Sequence, residues 1–195
     1  LELGGSDPYV VLEDADLELT ADKCVISRMI NGGQSCIAAK RFIVVEAVRE
    51  AFEKLFVEKM KTFVMGDPLA KETTLGPQAR QDLRDELHQQ VQQSLAQGAS
   101  CLLGGELPDG KGAFYPPTDL TNVVKGTPAY DEEMFGPVAA IIPVKDEAEA
   151  IEVANDTIFG LGAAVFTKDR EKGEQIAAKQ LDAGCCFVND FVRSD

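Results

Sequence analysis

Apolar positions recur along this chain with two periods. Leu17, Ala21, Cys24, Val25 and Met29 mark one face at helical spacing, with Asp14 or Asp16 placed to cap its start and an end expected near Asn31-Gly32. The continuous apolar run Phe42-Ile43-Val44-Val45 reads as a buried strand. Val48, Phe52, Phe56, Met60 and Phe63 form a second helical stripe, broken by Gly66-Asp67-Pro68. Leu83, Leu87, Val91 and Leu95 form a third. Short strands are expected at Cys101-Leu102-Leu103, near Asp119-Leu120 and over 138–144, with 104–112 a glycine-rich surface loop. A helix over 147–155, a strand at Ala163-Ala164-Val165-Phe166, a helix around Ile176-Ala177-Ala178 and a strand at Cys186-Phe187-Val188 complete the pattern. Strands alternating with helices predict an α/β fold, a sheet with helices on its faces.

Bulk properties narrow the function classes. At 195 residues the chain suits one domain with a real core, and its 45% hydrophobic and 27% charged residues are those of a globular protein. It holds no apolar run of the roughly 18 residues a membrane span needs, and no secretory signal pattern opens it. The 33 acidic against 19 basic residues give a formal charge of −14, which repels phosphate backbones, so neither nucleic acid nor membrane is an expected partner. Cys24, Cys36, Cys101, Cys185 and Cys186 are an odd set outside any small disulfide scaffold, so reduced thiols and a cytoplasmic setting are expected. His88 is the sole histidine, which rules out a metal site built on histidines, and its polar helix predicts a solvated side chain. Cys185 and Cys186 are adjacent on a strand and point to opposite faces, so no metal chelate is expected there.

Two segments carry chemistry. Asn31-Gly32-Gly33-Gln34-Ser35-Cys36 places a thiol after a flexible turn, where glycine permits close backbone approach. Leu1-Glu2-Leu3-Gly4-Gly5 places a carboxylate between apolar residues, where desolvation would raise its pKa toward that of a useful base. A sulfur nucleophile and a base are the parts of a covalent catalyst, and the backbone N–H of Cys36 can serve a developing oxyanion. The bland alternatives are an inert packed cysteine and a surface glutamate at the chain end. Gly160-Leu161-Gly162 is not a dinucleotide loop, because it follows a helix and enters a strand rather than the reverse.

Those two segments resemble the general-base and nucleophile motifs of the aldehyde dehydrogenase superfamily. Glu132-Glu133-Met134-Phe135-Gly136-Pro137-Val138 is similar to a third signature, and Gly66-Asp67-Pro68, Leu75-Gly76-Pro77, Ala154-Asn155-Asp156 and Phe159-Gly160-Leu161 follow in the family's order. Ala38-Ala39-Lys40-Arg41-Phe42 and 84–90 look most like bacterial succinate-semialdehyde dehydrogenases. The resemblance implies a three-layer sandwich with a mostly parallel sheet flanked by helices. It implies that residues 1–195 are a single catalytic domain of a larger enzyme, with the nucleotide-binding and oligomerisation parts largely outside this chain. Cys36 would be the nucleophile and Glu2 the base. Glu133 and Phe135 would contact NAD or NADP at the nicotinamide ribose and ring, and Ser35 and Arg193 would face a small aldehyde substrate. The parent would be a homodimer or homotetramer, oxidising the aldehyde through a thiohemiacetal and a thioester. The isolated chain is expected to be inactive. Alternatives are a coenzyme A-acylating relative, a non-catalytic folding and interaction module, and residual esterase activity from Cys36.

Overall fold

The computed structural model describes residues 3–193. Seven strands form one sheet in the order β3-β4-β5-β2-β1-β6-β7. They are β1 (Pro8–Val11), β2 (Arg41–Val45), β3 (Ser100–Leu103), β4 (Thr118–Thr121), β5 (Val138–Val144), β6 (Gly162–Phe166) and β7 (Cys185–Val188). All neighbours pair in parallel except β3 and β4. The central strands β1, β2 and β6 are buried throughout, as parallel strands covered on both faces must be.

Six helices cover the two faces: α1 (Leu17–Met29), α2 (Glu46–Met60), α3 (Gln81–Ala96), α4 (Pro128–Asp131), α5 (Glu147–Asn155) and α6 (Arg170–Lys179). Helices α1 and α2 bury Ala21, Cys24, Phe52 and Phe56 against Tyr9, Phe42 and Phe166 on one face. Helices α3 to α6 bury Leu87, Tyr130, Ala150 and Ile176 against Val10, Ile43 and Val165 on the other. The result is the expected three-layer α/β sandwich. No helix among the described residues is long and apolar enough to cross a membrane.

Asp16 rather than Asp14 caps α1, accepting from the Leu19 N–H at 3.3 Å. Asp14 instead accepts from the Thr167 hydroxyl at 2.8 Å and the Lys168 N–H at 3.0 Å, holding the turn into α6. Helix α2 stops at Met60, so Phe63 joins the same apolar cluster from beyond the helix. Strand β1 carries no periodic signal: four residues long and opening on Pro8, it is buried on both faces and shows no alternation. His88 departs from expectation. It is half-buried, with Nδ1 3.2 Å from the hydroxyl of fully buried Tyr115, because the chain before β4 folds back over α3. Cys185 and Cys186 do face opposite sides of β7, each packing on a different cluster.

Parallel order fixes where the chemistry lies. Gly5 precedes β1, Cys36 precedes β2 and Glu133 precedes β5, and these strands are consecutive in the sheet. Parallel neighbours bring all three segments to one edge, the amino ends of the strands.

Candidate active site

The cysteine segment is shaped by its backbone. After Met29 the chain passes through a turn (Ile30–Gly33) in which Asn31, Gly32 and Gly33 have φ of 50°, 63° and 77°. Gly33 admits no replacement without movement, since a Cβ there would lie 2.0 Å from the Gly136 carbonyl oxygen. The nucleophile turn therefore rests directly on the Phe135-Gly136-Pro137 turn. Cys36 emerges half-buried. Its carbonyl oxygen lies against Gly5, where a Cβ would come within 2.5 Å of it. Gly4, at φ 84°, passes close to Glu133 Oε2 and Phe159, each 3.2 Å from where its Cβ would stand. Glu2 lies outside the described residues, so the segment that should carry the base is located next to Cys36 only through Gly4 and Gly5.

Three buried cations hold these turns, and the periodicity did not single them out. Arg28 donates to the carbonyls of Gly33 at 2.8 Å, Val138 at 3.3 Å and Met134 at 3.4 Å, tying the nucleophile turn to the turn before β5. Arg41 donates to Ser6 at 3.1 Å and to the last carbonyls of α5, Val153 at 2.9 Å and Ala154 at 3.0 Å, where a helix end favours positive charge. Lys40 donates to the carbonyls of Ser35 at 2.9 Å and Cys36 at 3.0 Å and pairs with Glu133 at 3.2 Å. Asp7 stands among them, its Oδ1 accepting from the Gly162 N–H at 3.0 Å. The one available sequence signal was charge inside an apolar segment: Lys40-Arg41 sits between Ala39 and Phe42, and Arg28 precedes Met29 on the buried stripe of α1.

Burial governs the electrostatics. It pushes Lys40 down to about 8, reinforced by Arg28 and opposed by Glu133 and Asp7. It pushes the Arg28 guanidinium down to about 9 against the pull of the same two acids. It raises Asp7 to about 6 despite the Gly162 hydrogen bond and the nearby charges of Lys40, Arg41 and Arg28.

Glu133 and Phe135 line a cleft of about 260 Å³ together with Leu83, Glu86, Leu87 and Gln90. Glu133 Oε1 accepts from the Gly5 N–H at 3.0 Å, and the Lys40 ammonium lies 6.0 Å from the Phe135 ring centre. The structure thus brings together Cys36, Ser35, Glu133 and Phe135. Arg193 is engaged by its own segment, pairing with Asp190 and standing 4.7 Å over the Phe191 ring. A cysteine on a fixed turn whose backbone is tied through Lys40 to a partly exposed carboxylate, with an aromatic ring on the same cleft, suits attack on a small electrophile alongside a polyhydroxylated, planar co-reactant.

Comparison with known proteins places this arrangement. The aldehyde dehydrogenase family model matches residues 1–195. The chain is 54% identical over its whole length to succinate semialdehyde dehydrogenase [NAD(P)+] Sad of Escherichia coli (strain K12), covering 42% of that protein. It is 45% identical to a probable succinate-semialdehyde dehydrogenase [NADP(+)] of Synechocystis, covering 43%. The succinic semialdehyde dehydrogenase of Streptococcus pyogenes, solved with NADP+, superposes on the whole chain with a TM-score of 0.94 at 39% identity, 42% of that chain being covered. The chain therefore spans less than half the length of the relatives it matches. With its three-layer fold and its cysteine, glycine-pair and Glu-Met-Phe-Gly-Pro segments gathered at one edge, the chain belongs to the aldehyde dehydrogenase family.

Proposed function

We propose that this chain is the catalytic domain of a longer NAD(P)-dependent dehydrogenase that oxidises a small aldehyde, succinate semialdehyde first among the candidates, to its carboxylic acid. The observation that carries this reading is the convergence on Glu133: it accepts from Gly5 of the base segment and pairs with Lys40, which also holds the Cys36 carbonyl. Cys36 attacks the aldehyde carbon, and the Cys36 N–H offers a donor to the oxyanion. Glu133 and Phe135 would hold NAD or NADP, which would supply the hydride acceptor for this adduct. The remaining thioester is cleaved by water, with Glu2 as base. Glu133 and Phe135 fit the ribose hydroxyls and the nicotinamide ring because they present a carboxylate and a ring face side by side in the cleft. Ser35 and Arg193 complete the substrate end, Arg193 exchanging Asp190 for the substrate's distal carboxylate. The similarity to succinate-semialdehyde dehydrogenases over the whole chain supports that substrate. The parent is proposed as a cytoplasmic homodimer or homotetramer.

The isolated chain is proposed to lack dehydrogenase turnover. Leu3 and Ile158 are 83% and 92% exposed beside Gly4 and Phe159, which supports an apolar covering surface supplied from outside this chain. The test is NAD(P)H formation with succinate semialdehyde by the full-length protein. Loss in Cys36→Ala, and loss of thioester hydrolysis in Glu2→Gln, are expected. Turnover surviving Cys36→Ala overturns the reading, and coenzyme A-dependent product release would convert it to the acylating alternative.

A further inference from the structure

Lys40 has three N–H donors and three acceptors in place: the Ser35 carbonyl at 2.9 Å, the Cys36 carbonyl at 3.0 Å and Glu133 Oε1 at 3.2 Å. Its side chain is fully buried, whereas that of Glu133 is 20% exposed. The ammonium therefore faces inward and the carboxylate outward, toward the cleft that Phe135 shares. Glu133 Oε1 is also taken by the Gly5 N–H. With that oxygen held twice, the plane of the carboxylate and the direction of Oε2 are set.

We propose that Lys40 is a positioning residue that couples the two halves of the reaction centre: it fixes the peptide carrying the Cys36 nucleophile and, with the same ammonium, orients Glu133 toward the dinucleotide. The proposal rests on the activity proposed above for this site. No other residue type fills the position. Methionine donates nothing, and the single amide of glutamine cannot serve three acceptors. The longer, planar guanidinium of arginine does not match three acceptors around one point. Arg28 from α1, Asp7 from the segment before β1 and Glu133 are the charged groups that face Lys40. Removing its charge leaves Glu133 beside two carbonyl oxygens with no cation between them.

The test uses the full-length dehydrogenase and its Lys40→Met and Lys40→Gln variants. Three quantities are read: the pH profile of Cys36 alkylation by iodoacetamide, the dissociation constant for NADP by fluorescence titration, and steady-state kcat and KM. Both variants are expected to weaken NADP binding about tenfold, the scale of one lost charge-assisted hydrogen bond. They should also displace the alkylation profile and lower kcat about 10- to 100-fold, as small misplacements of reacting groups do. A folded variant with wild-type alkylation and wild-type NADP affinity overturns the proposal. Failure of both variants to fold overturns it too, because the lysine then serves the domain and not the site. If the wild-type protein oxidises no aldehyde, the proposed activity falls, while the alkylation and NADP titrations still decide the role of Lys40.

Discussion

Two aspartates, Asp7 and Asp119, are almost wholly buried in different parts of the same sheet. Asp7 lies at the edge that carries the reactive segments. Its Oδ1 accepts from Gly162, and Lys40, Arg41 and Arg28 restrain its pKa to about 6. Asp119 lies on β4 in the outer wing. Neither of its oxygens has a hydrogen-bond partner among the described residues, and burial, compounded by the charge of Glu53, pushes it well above the usual carboxylate range. Glu53 itself is served by Arg49 at 2.8 Å and by Thr121. The difference teaches where this fold maintains buried charge. At the reactive edge, charged side chains clamp loops that must hold a fixed geometry. In the wing, an acid is buried without a clamp, and burial favours its protonated form instead.

The largest effect expected comes from breaking the clamped side. Gly33→Ala puts a methyl group 2.0 Å from the Gly136 oxygen at a residue with φ 77°. A loss of ~3 kcal/mol or more is expected, combining overpacking with left-handed strain, and urea denaturation would measure it. Arg41→Met should follow at about 3 kcal/mol, since it removes the guanidinium donors to the carbonyls of Ser6, Val153 and Ala154 together. It should also raise the Asp7 pKa further, because one of three restraining charges is gone. A stability loss of less than about 1 kcal/mol in Arg41→Met would mean that water serves those carbonyls as well as the guanidinium does.

These clamps also show what the sequence could and could not express. The helices of α1, α2 and α3 were legible because their apolar stripes repeat every three or four residues, and β2 and β5 because apolar runs of strand length leave little choice. Strand β1 was not, since a four-residue strand buried on both faces has no period to read. Cys36, Glu133 and Phe135 were legible only as members of motifs. Nothing in their spacing places residues 36 and 133 together; the parallel order β5-β2-β1 does that. Arg28, Lys40 and Arg41 were the least legible. Their partners are almost all backbone carbonyls, and a carbonyl leaves no mark in a sequence.

Burial gives both aspartates the same sign of pH dependence. A carboxyl whose folded pKa exceeds its unfolded value of about 3.9 binds its proton more tightly in the fold. The stability it adds is complete below that value and is lost as pH climbs through the folded pKa. For Asp7 the loss is complete just above pH 6; Asp119 shifts in the same direction, with no cation opposing burial. Asp119→Asn should therefore match the wild type near pH 4 and be the more stable at pH 7, with the gap widening as pH rises. Urea midpoints taken across that range would read it. A gap that shrinks with pH would mean that Asp119 carries its charge comfortably, and the contrast with Asp7 would collapse.

The smallest effect tests whether the wing is poor in polar partners generally or only at Asp119. Tyr115 is fully buried in that wing, yet its hydroxyl reaches His88 Nδ1 at 3.2 Å, and burial raises its pKa. Tyr115→Phe keeps the ring in the core beside Leu87 and Leu120 and removes one neutral hydrogen bond. The expected loss is 0.5 to ~1 kcal/mol, and His88→Phe should give a similar loss without adding to it in the double variant. Non-additivity of that kind assigns the energy to the pair. Full additivity would mean that hydroxyl and imidazole each act alone, and Asp119 would then be one case of a wing that buries polar groups without pairing them.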